Sequence, residues 1–342
     1  MAASDHRRTI SERLEGELLQ GMLAPVLERV QKDDTLTMEI RSGCVDIYYR
    51  GGRLLGLEEA GGGRRFRAHF DRGYCDDPDF CRALPDSLPP VIARVEDAAL
   101  WVEAFPTHKQ AMDLHFHRAP KIEREYQQAV LRENNRHASG DATDYTIVDI
   151  EYTQSARAGS GVRSPYRFDM VGFRWPAEGK RSRQSHEVTP VIMEMKVGDA
   201  AMRSRPKTKG SDELTPGLVK HVRDIEGFMA APAGEMSSPY RQLRGELAES
   251  YEITKRLELP SLPKVATGRL TLTEDQMTVK PEVVFLLAAH DRASKVLQDE
   301  LRDLANEPRT AARYRVAHVA FAGYALFDEC MMELDDFIER YG

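Results

Sequence analysis

Two extended, mostly apolar segments carry charged residues at positions that a β-strand would bury. The segment YRFDMVGFRWP contains Asp169, and VTPVIMEMKVGD, which follows after a polar gap, contains Glu194 and Lys196. Burying a lone charge is costly, so charges in such strands need partners or a ligand. Any fold of this chain must bring these three residues to a place where that cost is offset.

The spacing of these residues indicates a particular chemistry. Side chains alternate across a strand, so Glu194 and Lys196 share one face. If the segment with Asp169 pairs antiparallel with this strand, the two carboxylates lie close together, repel each other and require a cation. Hard oxygen ligands without a Cys or His cluster favour Mg²⁺ or Mn²⁺ over zinc. A lysine beside them can orient an attacking water and stabilise charge on a phosphate, which suits metal-assisted phosphodiester hydrolysis.

These residues resemble the motif of the PD-(D/E)XK nucleases, a superfamily that includes many restriction endonucleases and Holliday-junction resolvases. Asp169 corresponds to the first acidic position and Glu194-Met195-Lys196 to E-x-K, while Phe168 stands where the motif's name has proline. The resemblance implies an α/β fold with a restriction-endonuclease-like mixed β-sheet flanked by helices. It also implies that Asp169 and Glu194 hold Mg²⁺ or Mn²⁺ and that Asp169, Glu194 and Lys196 are catalytic.

Other positions could contribute to the site. Many members of the superfamily add a metal-binding glutamate from the first helix, and in IEREY we predict Glu123, with Glu125 as the alternative. RecB-type members have a glutamine in the helix after E-x-K, where GLVKHVRDIEGF has His221. Asp149 and Glu151 form a second acidic pair, which either lines the same cleft or marks the solvent side of an edge strand.

The order of predicted elements sets the domain organisation. Residues 9 to 31 predict an amphipathic helix with a capping box at Thr9 and Glu12 and with a kink or an interruption before Pro25. Residues 36 to 70 predict a β-meander of about four strands. A helix follows near residues 91 to 105, and His115 and His117 in HFH alternate as strand residues do. From residue 121, leaving aside a short hairpin around GRLTLT, the order is helix, three strands, helix, strand, helix, strand, helix. We predict an N-terminal helix and meander of unknown role over residues 1–117 and a nuclease-like domain over 118–342.

The charge distribution and the cysteines indicate which partners and which cellular compartment to expect. The net charge is −7, but residues 157–209 contain twelve Lys or Arg against five Asp or Glu, so basic side chains surround the motif. The four cysteines show no CxxC pair and predict reduced thiols. No apolar run approaches the ~20 residues that span a bilayer, and the N-terminus lacks the apolar core of a secretion signal. We therefore expect a cytoplasmic protein without a membrane partner.

The sequence thus predicts a Mg²⁺- or Mn²⁺-dependent nuclease that hydrolyses phosphodiester bonds in DNA, with RNA and a homodimer left open. Defence against phage or plasmids, or DNA processing, is the expected setting by resemblance to stand-alone bacterial members. The alternative is a catalytically inactive module of the nuclease fold that binds nucleic acid or a protein. A third interpretation makes the Glu194–Lys196 pair an ordinary surface ion pair on an α/β scaffold, and it requires that strand face to be exposed to solvent.

Overall fold

A computed structural model of the chain describes residues 8–61, 64–75, 88–135, 143–154, 166–177, 188–209, 211, 213–230, 238–259, 272–319 and 324–342. The chain divides into two compact units, Met1–Gln128 with Ala248–Leu262, and Ala129–Leu247 with Pro263–Gly342. The division falls after Gln128, before Ala248 and after Leu262, whereas the predicted domain boundary lies between residues 117 and 118. That boundary concerns separately folding domains, and it stays a prediction.

The first unit begins with two short helices, so the helix expected from residues 9 to 31 is interrupted before Pro25. These are α1 (Glu12–Gln20) and α2 (Ala24–Lys32). The predicted capping box at Thr9 is wrong, because the hydroxyl of Ser11 accepts the Leu14 N–H at 3.0 Å and caps α1. Pro25 lies in the first turn of α2, where a missing N–H is harmless, so the interruption comes before it.

An antiparallel meander follows, as predicted, with five strands where about four were expected. Its strands, which neighbour one another in chain order, are β1 (Leu36–Ile40), β2 (Cys44–Tyr49), β3 (Gly52–Glu59), β4 (Phe66–His69) and β5 (Val91–Ile92). The β2–β3 turn has positive φ at Arg50 and Gly51, the backbone that a two-residue hairpin of this hand requires. A Cβ at Gly51 would overlap the backbone of Arg124, so a larger residue is excluded there.

Helix α3 (Val95–Arg118) is longer than the expected helix at residues 91 to 105. Pro106 lies inside it, and its final turns contain His115 and His117, so the strand-like interpretation of HFH is wrong. Burial explains the continuation, since large side chains recur on one face at helical spacing. They are Trp101, Phe105, His108, Met112 and Phe116. The next helix, α4 (Ile122–Asn135), agrees with the prediction, and the division between the units falls within it.

The second unit contains the predicted mixed sheet. Its strands are β6 (Tyr145–Gln154), β7 (Tyr166–Arg174), β8 (Thr189–Val197), β9 (Glu282–Ala288), β10 (Arg313–Val319) and β11 (Met332–Glu333). Their order is β11-β10-β9-β8-β7-β6, and β8, β9 and β10 run parallel while the remaining pairs are antiparallel. Strand β9 is buried along its whole length, as expected for a parallel strand covered on both faces.

Helices flank this sheet, so the α/β fold class is confirmed. They are α5 (Asp199–Met202), α6 (Leu218–Ala230), the part of α7 (Pro239–Arg256) before Ala248, α8 (Lys295–Leu304) and α9 (Leu334–Tyr341). Helix α5 contacts β8, helix α8 contacts α5, α6 and α9, and α9 contacts β10. Helix α7 was not predicted, and most of the predicted GRLTLT hairpin lies outside the described residues. In the part of the chain that the structure describes, no helix is long and apolar enough to cross a membrane.

Candidate functional site

The sheet of the second unit brings the three predicted catalytic residues together. Strands β7 and β8 pair antiparallel, with Met170 opposite Met193 and Val171 opposite Ile192. One step further along this ladder, Asp169 lies level with Glu194. The backbone N–H of Met195 donates a hydrogen bond of 2.8 Å to Oδ2 of Asp169 and thereby fixes its carboxylate against β8.

Glu194 and Lys196 lie on the same face of β8, and both are buried. Their side chains are 1% and 5% exposed, so the interpretation as an ordinary surface ion pair is wrong. The Lys196 Nζ atom lies 4.0 Å from Oδ2 of Asp169. The side chain of Asp169 is 23% exposed, so this carboxylate lies at the side of the group that solvent reaches. Glu194 and Lys196 lie behind it in the buried part, where electrostatic interactions are strong.

The local electrostatics are those of two carboxylates held close together. Burial first, and the neighbouring charge of Glu194 second, raise the pKa of Asp169 to about 7, against an ordinary value of 3.8. Lys196 opposes this shift without cancelling it. A cation between the two carboxylates would favour their ionised forms and remove the repulsion.

His221, which the sequence offers as a further position that could contribute to the site, contacts Glu194. His221 lies in the first turns of α6, with its Nδ1 atom 3.1 Å from Oε2 of Glu194. Burial and the charge of Lys196 lower the pKa of His221 to about 3, so its imidazole is neutral at pH 7. The signal in the sequence is weak, because the two residues lie 27 positions apart and only the folded path of α6 joins them.

The glutamates proposed as helix ligands lie in the N-terminal half of α4, which belongs to the first unit. Oε1 of Glu125 accepts a charged hydrogen bond of 2.9 Å from Nη2 of Arg50, whose Nη1 donates to Asp113 at 2.7 Å. The carboxylate of Glu125 is thus paired with an arginine of the β2–β3 turn. Glu123 is half-buried and has partners of its own. Its assignment as a metal ligand stays a prediction.

The second acidic pair, Asp149 and Glu151, lies on β6, which is the edge strand of the sheet. Asp149 is only 3% exposed, so for this residue the expectation of a solvent-facing position is wrong. In the ladder between β6 and β7, Ile150 lies opposite Met170 and Tyr152 opposite Phe168, which puts Glu151 level with Asp169. The φ angle of Glu151 is +54°, a conformation that is rare for residues other than glycine and that interrupts the regular alternation of β6.

The donor set at Asp169 and Glu194 fits Mg²⁺ or Mn²⁺. Magnesium commonly binds through one or two carboxylates and keeps waters or substrate phosphate as its other ligands. Within the described ranges, no group of three or more His, Cys, Asp or Glu is placed to hold a metal. The donors at this place are hard oxygen atoms of two neighbouring carboxylates, and the charge of Glu194 adds to burial in raising the pKa of Asp169.

Of the described cysteines, Cys44 and Cys330 are free thiols, and Cys81 lies outside the described residues.

Part of the predicted basic surface lies close in sequence to the site. Five of the twelve basic residues between 157 and 209 fall in segments that the structure does not describe. Among the described ones are Arg203, Arg205 and Lys209, which come after β8 and the short helix α5. None of these three forms an ion pair with another described residue. Ser204, between the two arginines, accepts the Lys220 N–H at 3.0 Å, next to His221 on α6.

Comparisons of the chain with protein-family models, with curated proteins and with solved structures find no match in any of the three.

Proposed function

We propose that the chain is a metal-dependent nuclease that hydrolyses phosphodiester bonds, with DNA as its substrate. The observation that carries the proposal is the convergence of Asp169, Glu194 and Lys196 on adjacent strands. Burying two carboxylates beside one ammonium group carries a desolvation cost, which a bound cation would offset. A resemblance to the PD-(D/E)XK nucleases in motif and in element order supports the same conclusion.

Each residue has a role that follows from its position. The carboxylates of Asp169 and Glu194 would hold Mg²⁺ or Mn²⁺, which when bound supplies Lewis-acid stabilisation of the phosphate and lowers the pKa of water. Lys196, 4.0 Å from Asp169, lies where its ammonium group can stabilise negative charge that builds on the phosphate oxygens. In the reaction a water oxygen forms a bond to phosphorus, the bond to the leaving oxygen breaks, and the leaving oxygen takes up a proton.

Basic side chains outside the catalytic group have a separate role in the proposal. Arg203, Arg205 and Lys209 would contact phosphates of the nucleic-acid backbone, because charge neutralisation dominates such binding. These contacts carry no preference for a base sequence. The neighbouring basic segments at residues 155–165 and 178–187 lie outside the described residues.

Cleavage assays test the proposal. Duplex, single-stranded and branched DNA are incubated with Mg²⁺ or Mn²⁺ and the wild-type protein, Glu194→Gln, or the exposed control Glu339→Gln. We expect wild type and control to cut at least one form, EDTA to stop cleavage, and Glu194→Gln to lose about 10²-fold or more in rate. Equal cutting by Glu194→Gln, or no cutting of DNA or RNA by any protein, would contradict the proposal. DNA binding without cleavage by the wild type would favour the inactive binding module.

A further inference from the structure

The carboxylate of Glu194 has a defined neighbour on α6. The Nδ1 atom of His221 lies 3.1 Å from Oε2 of Glu194, and both side chains are largely enclosed. This contact is not aligned as a hydrogen bond in the structure. A turn of either side chain would align it, with the imidazole in the tautomer that carries its proton on Nδ1. The Nε2 atom of His221 is also buried and has no hydrogen-bond partner among the described residues, so no other described group competes for the orientation of this ring.

The first turn of α6 is itself held in place by a buried carboxylate. Glu300 on α8 is 2% exposed, and its Oε1 atom accepts the Val219 N–H at 2.9 Å. The same oxygen accepts the hydroxyl of Ser204 at 2.7 Å, and Oε2 accepts the Ser204 N–H at 2.8 Å. The Ser204 hydroxyl in turn accepts the Lys220 N–H at 3.0 Å. The backbone N–H groups of Val219 and Lys220, which immediately precede His221, are therefore both held by Glu300. The first bonds it directly, and the second bonds it through Ser204.

Close backbone packing completes this support. A Cβ atom at Gly217 would overlap the backbone of Arg203 and Ser204, so only glycine allows the loop before α6 to approach this closely. The start of α6 therefore has little freedom, and the position of His221 beside Glu194 is set by α8 and by the segment after β8.

We propose that His221 is a positioning residue of the candidate metal site, which orients the carboxylate of Glu194 through its Nδ1–H group. The inference rests on the proposed function, since it assigns to Glu194 the role of a metal ligand. Groups that orient a metal ligand fix its geometry and raise its basicity, and their removal commonly weakens metal binding or activity by about 10- to 100-fold. His221 touches Glu194 and acts through it.

Two substitutions separate positioning from packing. In His221→Asn, the side-chain amide nitrogen occupies nearly the place of Nδ1 and can donate to Glu194. In His221→Leu, a side chain of similar size fills the space without a donor. His221→Gln serves as a second variant without a donor at that place, because its amide lies one bond further out, and it replaces the Leu variant if that protein does not fold.

The probe is Mn²⁺ binding by the full chain, measured by calorimetry without nucleic acid, with urea unfolding in EDTA as the check on folding. We expect His221→Leu and His221→Gln to weaken Mn²⁺ binding about 10- to 100-fold, and His221→Asn to stay within about threefold of wild type. On a DNA that the wild type cleaves, the Leu variant should need more Mn²⁺ for half-maximal rate, and excess Mn²⁺ should recover most of its kcat.

The outcomes separate the two proposals. Tight Mn²⁺ binding by the wild type and equal binding by folded His221→Leu would overturn the positioning role and leave the proposed function standing. A defect in His221→Asn as large as that in the Leu variant would also overturn it, because packing alone would then explain the loss. Absence of both Mn²⁺ binding and cleavage in the wild type would overturn the proposed function and this inference together.

Discussion

At the scale of single residues, Asp169 is held in a state that costs stability. Its pKa is about 7 in the folded protein and 3.8 ordinarily, so the folded state binds this proton more tightly than the unfolded chain does. The contribution of the protonated carboxyl to stability is therefore present at low pH and is lost as the pH rises from about 4 to about 7. Above pH 7, the ionised carboxylate lies beside Glu194 at a net cost.

Asp169→Asn should remove that cost. The amide oxygen of asparagine can still accept the Met195 N–H, and the variant has no charge to place beside Glu194. In EDTA at pH 8, we expect its free energy of unfolding to exceed that of the wild type by about 1–3 kcal/mol, with the difference vanishing toward pH 4. Urea unfolding followed by circular dichroism measures it. Addition of Mn²⁺ should stabilise the wild type and leave the variant unchanged.

The matched control is the exposed Asp303→Asn on α8, which should change stability by less than about 0.5 kcal/mol. If Asp169→Asn proves less stable than the wild type at pH 8 in EDTA, the cost assigned to the ionised carboxylate does not exist.

Sequence reasoning could identify Asp169, Glu194 and Lys196 because alternation along a strand is a local property that the sequence displays directly. The antiparallel pairing that unites them was an assumption, and the sheet has it. The contact of His221 with Glu194 and the burial of Asp149 could not be predicted, because both depend on which element covers the sheet. No local sequence pattern shows which element will cover the sheet.

At the scale of elements, the pairing of β6 with β7 depends on one glycine. Gly172 lies opposite Ile147, next to a shift of register in β6. A Cβ at this position would overlap the backbone oxygen of Thr146 and come within 2.9 Å of the Ile147 Cα atom. Only glycine allows the two backbones to approach this closely.

Gly172→Ala should therefore force β6 away from β7 and lower the free energy of unfolding by about 2–4 kcal/mol. The control is Gly227→Ala on α6, in the same unit, where a Cβ meets nothing within 4 Å and the better helix former should stabilise by up to about 1 kcal/mol. Urea unfolding of both variants measures the difference. Equal stabilities would show that the sheet relaxes at no cost around Gly172.

Elements were predictable where one apolar stripe dominates, as in α4 and α6. Helix α7 was missed because buried polar residues recur on it every four positions and hide the apolar stripe. They are Gln242, Glu246, Ser250 and Thr254. Hydrogen bonds satisfy them, within the helix from Gln242 to Glu246 and across the fold in the bond of 2.7 Å from Tyr152 to Glu246. Helix α3 continues through Pro106 beyond its predicted end at residue 105, because burial of its aromatic residues outweighs the missing hydrogen bond.

At the scale of the whole molecule, the distribution of charge decides whether an acidic chain can bind an acidic polymer. The net charge of −7 opposes the approach of nucleic acid, and that repulsion is screened beyond ~10 Å at 0.1 M salt. Binding must then come from basic side chains that are not already neutralised by acidic neighbours. In the described part of the chain, Arg203, Arg205 and Lys209 meet this condition, and they follow α5, the short helix after the strand that carries Glu194.

Replacing these three residues together with glutamine should weaken DNA binding and make it less dependent on salt. Removing one contact to a phosphate of duplex DNA lowers the slope of log K against log salt by about 0.9, so removing three lowers it by about 3. Fluorescence anisotropy in EDTA, where the proposed cleavage is off, measures K over a series of salt concentrations.

A control must carry the same net charge, so three exposed basic residues elsewhere in the second unit are replaced instead; they are Lys280, Lys295 and Arg340. If both triple variants lose affinity equally, overall charge accounts for binding, and the segment after β8 is no part of a nucleic-acid surface. A loss confined to the first variant would place the backbone of the bound DNA beside the start of α6, where His221 meets Glu194.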